Sequence, residues 1–207
     1  MSRPRLTTIL LVTTALAALW VVCVRGYADY LARWQPQRAS YLYGGQAEAL
    51  VRLAEDDLLH ERLESARKRA MAAIASSPLE GRAFRVLGGV ADLEGNNVEA
   101  AALMQIAAKL TPRDAPTQFW LVLHSLQKRD LDGALARVDR LLRFQPESQQ
   151  PMMPLLAVIA ANPVGAESLA RFLVPSPPWR AAVFYQLSWS LKANELTGLV
   201  NSLRRAG

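Results

Sequence analysis

The chain has 207 residues, 51% of them apolar, and 24 lysines and arginines against 18 acidic residues give it a net charge of +6. A single cysteine, Cys23, excludes an intrachain disulfide or a cysteine-ligated metal site. The two histidines, His60 and His124, lack the carboxylate spacing of a catalytic or metal site, and no phosphate-binding glycine loop appears. The composition therefore favours a binding protein that is not an enzyme and takes no cofactor or small-molecule substrate.

The first feature along the chain is an uncharged segment from Leu6 to Val24, preceded by Arg3 and Arg5 and followed by Arg25. At ~1.5 Å per residue, a helix of this length spans roughly 28 Å, close to the hydrocarbon thickness of a bilayer. A cleavable signal peptide is the alternative, but its apolar core usually ends sooner and at small residues. The bulky residues 20–24 favour an uncleaved transmembrane anchor over residues 1–25.

The basic residues around this segment give only a small charge bias for its orientation. Arg3 and Arg5 favour a cytoplasmic N-terminus, whereas Arg25, Arg33 and Arg38 on the other flank reduce that bias. We expect a single-pass protein of the bacterial inner membrane with the rest of the chain in the periplasm. A cytoplasmic domain tethered to the inner face remains the alternative.

Residues 26–46 form a linker rich in aromatic side chains. Tyr27, Tyr30 and Trp34 are expected at the lipid headgroup level, where amphipathic rings are common. Tyr41 and Tyr43 fit the same place, or a position against the first helix of the following domain.

A constant interval, equal to the distance along the chain from Pro78 to Pro112, organises the sequence from residue 47 to residue 148. We call it the repeat interval. It separates the members of four sets, which are Pro78, Pro112 and Pro146; Leu53, Leu87 and Leu121; Ala66, Ala100 and Ala134; and Ala73, Ala107 and Leu141. Because proline ends a helix and small residues allow helices to approach closely, this pattern predicts repeated helical hairpins. An ordinary alanine-rich helical bundle with evenly spaced prolines is the alternative.

The middle block carries a resemblance to a known repeat family. Its spaced positions, Phe84, Leu87-Gly88, Ala91, Gly95, Ala100, Met104, Ala107 and Pro112, resemble the tetratricopeptide repeat (TPR). The resemblance implies an all-α superhelix of about three repeats, 47–80, 81–114 and 115–148. The first and third blocks depart from the pattern, for example with Ala54 in place of Gly88 and no glycine at position 129, as terminal repeats do.

Prolines interrupt the sequence beyond Pro146. Pro151, Pro154, Pro163 and the run at 175–178 predict that the repeat pattern ends here. We expect shorter helices over 155–161, 164–173, 179–191 and 195–205, which together form a C-terminal helical cap within residues 149–207.

The TPR resemblance also implies where a protein partner binds. In the family, the first helix of each repeat lines a concave face, and the corresponding positions here are Glu48, Val51, Glu55, Leu58, Leu59, Arg82, Arg85, Gly89, Asp92, Leu93, Phe119, Leu123, Leu126 and Gln127. We select Glu55, Arg82, Arg85, Asp92, Phe119, Leu123, Leu126 and Gln127 as the candidate groove. The two arginines suit a partner's carboxylate, and the apolar residues suit a helix or an extended peptide. Burial of Phe119, Trp120 and Leu123 against the C-terminal cap is the alternative.

The basic residues are dispersed, apart from a cluster at Arg62 and residues 67–69. This cluster is typical of a solvated helix face, with a lipid headgroup or an acidic ligand as the alternative. Without an aromatic and basic motif, a nucleic-acid partner is not expected.

Short stretches in the second half resemble membrane-anchored TPR proteins of alphaproteobacteria, some from surface-polysaccharide gene clusters. They are residues 107–110, 113–114, 118–121, 133–135 and 178–182. The resemblance implies an envelope scaffold that recruits a protein partner, as an accessory of polysaccharide export or assembly. A structural subunit of a larger membrane complex and a client-holding factor of the cytochrome-maturation kind are the alternatives.

Overall fold

The computed structural model describes residues 13–16, 19–24, 26–27, 30–31, 34–38 and 46–207. The described residues fold into helices, turns and loops without a β-strand, so the predicted all-α class is confirmed. Much of the predicted anchor, including residues 6–12, 17 and 18, lies outside the described residues, as do linker residues 39–45 with Tyr41 and Tyr43. Within the part that is described, no helix combines the length and the apolar character needed to cross a bilayer.

Ten α-helices and one short 3₁₀-helix account for most of residues 46–207. The α-helices are α1 (Ala47–Leu59), α2 (Leu63–Ser76), α3 (Gly81–Leu93), α4 (Asn97–Leu110), α5 (Ala115–Gln127), α6 (Leu131–Phe144), α7 (Gln149–Ala161), α8 (Pro163–Leu173), α9 (Arg180–Ser190) and α10 (Ala193–Ala206). The 3₁₀-helix, Pro146–Ser148, precedes α7.

The helix bounds recur at the repeat interval. Helices α1, α3, α5 and α7 begin at residues 47, 81, 115 and 149 and end at 59, 93, 127 and 161. The second helices of the pairs, α2, α4 and α6, begin at 63, 97 and 131 and end at 76, 110 and 144. We call α1, α3, α5 and α7 the A helices, and α2, α4 and α6 the B helices.

Small residues sit where the helices approach most closely. Ala66, Ala100 and Ala134, one from each B helix, have no exposed surface. In the A helix α3, a Cβ added to Gly88 would lie 3.1 Å from the Met104 side chain, which is tighter than ordinary packing. The spaced alanines and glycine therefore set the distance between helices, while larger apolar side chains fill the remaining space.

The turn inside each hairpin also repeats. Glu61, Gly95 and Arg129, which are separated by the repeat interval, have φ of 56°, 79° and 59°. In each turn, the backbone N–H of the next residue donates to the carbonyl five residues earlier, as Asn96 does to Ala91 at 2.8 Å. Only the middle turn has the glycine that this left-handed backbone favours, so the other two carry local strain.

One further helix keeps the repeat frame beyond Pro146, where the sequence predicted that the pattern ends. Helix α7 has the bounds of a fourth A helix and contains Pro154, with Pro151 in its first turn. Proline is tolerated in a first turn because those N–H groups have no helical partner. Pro154 lies beyond the first turn, where it removes one helix hydrogen bond and its ring crowds the carbonyl four residues earlier. The register changes at α8, where Asn162 caps a helix that starts at Pro163 and is only 11 residues long.

The chain divides into two compact units, Met1–Leu110 and Thr111–Gly207. In the first, α1 packs on α2 and α3, and α3 packs on α4. Its main core is built from small and β-branched residues, including Val51, Val86 and Val90. In the second unit, α5 to α10 surround a larger core of leucines and methionines, in which Trp179 is 1% exposed.

Candidate partner-binding surface

An ion-pair network joins the A helices of the first unit. Arg82 of α3 donates from Nε and Nη2 to the two carboxylate oxygens of Glu55 on α1, at 3.0 and 2.6 Å. Its Nη1 donates to Glu48, which precedes Glu55 on α1, at 3.0 and 3.1 Å. The guanidinium of Arg82 is therefore shared between two carboxylates of the neighbouring repeat.

Arg85 and Arg52 complete the network. Arg85 donates to Glu55, and Arg52 donates to Glu48 at 2.6 Å. The side chains of Arg82, Arg85 and Glu55 are 24%, 16% and 22% exposed, so all three are largely covered. The structure thus brings together the predicted groove residues Glu55, Arg82 and Arg85, and pairs the arginines with glutamates of the same chain.

The network shifts the pKa values of Glu48 and Arg82. Burial raises the pKa of Glu48, but the charge of Arg82 and hydrogen bonds from Arg52 and Arg82 outweigh it, so the pKa of Glu48 is lowered overall. Burial lowers the pKa of Arg82, but its hydrogen bonds and charge interactions with Glu55 and Glu48 raise that pKa overall. Both shifts favour the charged forms of Glu48 and Arg82.

The other predicted positions of the first unit differ in exposure. Val51 is 0% exposed and belongs to the core, so its assignment to the concave face was wrong. A β-branched residue at that position packs between α1 and its neighbours rather than facing solvent. In contrast, Leu59 and Leu93 are 83% and 56% exposed at the ends of α1 and α3, and Asp92 is exposed beside Leu93.

The predicted apolar strip of the second unit is only partly exposed. Phe119 and Leu126 pack against the core of that unit, as the burial alternative predicts for Phe119. Leu123 is 37% exposed, and Gln127 at the end of α5 is exposed. Trp120 stacks on His124 with ring centroids 4.8 Å apart. Of the groove residues predicted on α5, Leu123 and Gln127 are therefore exposed.

The arginines of the basic cluster at 62–69 form ion pairs with acidic residues of the same unit. Arg62 and Arg69 both pair with Asp57, whose side chain is 2% exposed, and Arg67 pairs with Glu94. This agrees with the interpretation of the cluster as part of the protein's own surface. A buried carboxylate such as that of Asp57 requires cationic neighbours of this kind.

Comparison with known proteins gives no relative for this chain: no model of a protein family matches the sequence, and no curated protein does. Over the residues that the structure describes, no group of three or more histidine, cysteine or acidic side chains is placed to hold a metal ion. The function is therefore inferred from the arrangement of the chain's own residues.

Proposed function

We propose that the chain is a membrane-anchored adaptor of tetratricopeptide type that binds a protein partner through its A helices. The observation that carries this proposal is the common frame of the hairpins, in which helix bounds and the left-handed turn residues both recur at the repeat interval. Stacked helical hairpins of this kind present one helix of each pair along a shared face, which suits peptide or helix recognition.

The exposed residues of this face define what it can bind. Leu59 and Leu93 of the first unit occupy the same position, the last residue, in α1 and α3. Leu59 and Leu93 offer apolar contacts, whereas Arg82 and Arg85 are already paired with glutamates of the same unit. The proposed partner therefore contributes apolar side chains from a helix or an extended peptide, and a partner carboxylate must compete with Glu55 for Arg82 and Arg85.

The proposed location is the bacterial inner membrane, with the helical hairpins in the periplasm. The uncharged segment from Leu6 to Val24 supports an anchor, and the resemblance of the second half to envelope proteins supports a role as an accessory of surface polysaccharide assembly or export. Both assignments rest on the sequence.

Affinity purification of the detergent-solubilised full-length chain tests the binding face. We compare the wild type with Leu59→Glu and Leu93→Glu, which put a charge on exposed positions and leave the core intact. Lys68→Glu and Ala102→Glu are matched controls, because these exposed B-helix residues are also related by the repeat interval. Loss of the same partner in both leucine variants but in neither control supports the proposal. Retention in all five proteins contradicts it.

Extraction and topology measurements test the anchor separately. We expect the full-length chain to stay with membranes in alkaline carbonate and the variant Leu16→Arg to be released, because a buried arginine opposes insertion. A C-terminal alkaline phosphatase fusion is expected to be active, since that enzyme needs the periplasm. Release of the wild type would contradict the anchor, and an inactive but expressed fusion would favour the cytoplasmic orientation.

A further inference from the structure

A cavity of about 430 Å³ opens in the first unit between residues 34–38 and helix α1. Its wall combines Trp34 and Arg38 from the linker with Arg52, Leu53 and Asp56 from α1. The volume falls within the roughly 300–1,000 Å³ typical of small-molecule sites. The cavity lies apart from the A-helix residues to which the partner is assigned, Leu59 and Leu93.

Two arginines of the cavity wall, Arg38 and Arg52, have N–H donors available for a ligand. The Arg38 side chain is exposed and has no ion pair in the described part of the chain. Arg52 uses Nε to bond Glu48 at 2.6 Å, which leaves the four N–H donors of its terminal nitrogens for another acceptor. Two guanidinium groups at one cavity suit a phosphate, whose oxygens accept charge-assisted hydrogen bonds.

The same cavity carries one anion. Asp56 accepts a hydrogen bond from Arg62 at 2.8 Å, and its side chain is 55% exposed. A carboxylate has about four acceptor sites, so Asp56 can also accept from an ammonium group. Arg62, at 2.8 Å, and His60, with Nδ1 3.5 Å away, already lie beside this carboxylate. Phosphate alone would leave its remaining acceptor sites unused, whereas a ligand with an ammonium beside its phosphate can also donate to Asp56.

From this arrangement we propose that the cavity binds a phosphoethanolamine group. The phosphate lies against Arg38 and Arg52, the ammonium donates to Asp56, and the indole of Trp34 with Leu53 covers the short carbon chain. Phosphocholine fits less well because its quaternary nitrogen has no N–H donor for Asp56. Inorganic phosphate and phosphoglycerol lack the cation altogether.

Two sources carry this group: a membrane lipid headgroup and a free soluble phosphoethanolamine. The apolar segment ends at Val24, and Trp34 follows shortly after it in the chain. Because Trp34 follows the apolar segment so closely in the sequence, an anchored chain would keep the cavity near the membrane surface, within reach of a lipid headgroup. The lipid source rests on the proposed anchor, whereas binding of the free group does not.

Calorimetric titration of the full-length chain in detergent micelles tests the chemistry without requiring a bilayer. The probes are O-phosphoethanolamine, phosphocholine and inorganic phosphate. We expect saturable binding of O-phosphoethanolamine, weakened at least tenfold by Arg38→Gln. We expect Asp56→Asn to lose the preference over inorganic phosphate. Arg204→Gln, at an exposed residue of α10, is the matched control. Circular dichroism checks that each variant is folded.

A second experiment distinguishes the lipid headgroup from free phosphoethanolamine as the natural ligand. The chain is solubilised and purified from mixed vesicles of phosphatidylethanolamine and phosphatidylglycerol, and mass spectrometry identifies the lipid that it retains. Selective retention of phosphatidylethanolamine by wild type, lost in Arg38→Gln, supports the lipid source. Binding of O-phosphoethanolamine without selective retention supports the soluble source. Absence of saturable O-phosphoethanolamine binding, or equal binding by Arg38→Gln, overturns the proposal. The carbonate extraction result reports separately on the anchor.

Discussion

Arg82 and Glu55 form a bidentate ion pair between consecutive hairpins. Nε and Nη2 of Arg82 lie 3.0 and 2.6 Å from Oε1 and Oε2 of Glu55. The pair joins α3 to α1 at a place where the sequence predicted that Arg82 would meet a partner's carboxylate. It has two consequences. It fixes how the first two A helices sit against each other, and it makes the arginine's charge unavailable to a partner unless Glu55 is displaced.

Loss of this pair should lower the stability of the first unit. Replacement of Arg82 by glutamine leaves Glu55 and Glu48 partly covered without their main cation, so we expect the free energy of unfolding to fall by about 1–3 kcal/mol. Arg52→Gln removes only a more exposed pair within α1 and should cost less than about 0.5 kcal/mol. Urea unfolding at pH 7 measures both, and equal losses would contradict the assigned role of Arg82.

The lowered pKa of Glu48 predicts a pH-dependent contribution to stability. Because the folded-state pKa lies below the unfolded one, the contribution is fully present above the ordinary value of 4.5 and is lost as the pH falls through the folded-state pKa. Glu48→Gln should therefore destabilise the protein at pH 7 and make a smaller difference near pH 3. Urea unfolding of both proteins at the two pH values tests this, and a difference that did not shrink in acid would argue against the paired carboxylate.

The left-handed turns predict stabilising substitutions. Glu61 and Arg129 hold φ of 56° and 59° with exposed side chains, so Glu61→Gly and Arg129→Gly should each raise the free energy of unfolding by about 0.5–1 kcal/mol. Gly95→Ala should lower it by about 1 kcal/mol through backbone strain alone, because no atom lies within 4 Å of the added Cβ. Lys128→Gly, with φ of −78°, is the control and should destabilise. Thermal unfolding compares the four variants, and a loss of stability in both Glu61→Gly and Arg129→Gly would contradict the strain.

Trp179 is the main aromatic anchor of the second unit's core. Its indole Nε1 donates to Asp139 at 2.9 Å, while Asp139 also pairs with Arg143. Trp179→Ala should cost about 3–5 kcal/mol, and Trp179→Phe less, since it keeps most of the packing and loses the hydrogen bond. Trp189→Ala is the control, because that side chain is 78% exposed. Denaturant unfolding followed by circular dichroism measures all three, and similar costs for Trp179→Ala and Trp189→Ala would contradict this assignment.

The sequence predicted the helical class and the period because both depend on local properties that a single chain displays, namely proline positions, small residues and apolar spacing. It did not predict that α7 keeps the frame, since the tolerance of Pro151 depends on where the first turn of the helix begins, and Pro154 is accommodated beyond that turn.

The candidate surface was less predictable because it depends on which neighbours each side chain meets. The pair of Glu48 and Arg82 was detectable, since the two residues are separated by the repeat interval and therefore face each other on adjacent A helices. The burial of Val51 and the packing of Phe119 against its core depend on tertiary contacts that spacing alone does not specify.

Site-specific photo-crosslinking in the native host tests the central claim, partner binding by the A helices, most directly. A photoreactive residue placed at Leu59 or at Leu93 should yield one common crosslinked protein. The same residue at the exposed B-helix positions Lys68, Ala102 and Ala136 should not. Crosslinks to that protein from the B-helix set alone, or from neither set in cells where the chain is membrane-bound and folded, would contradict the account.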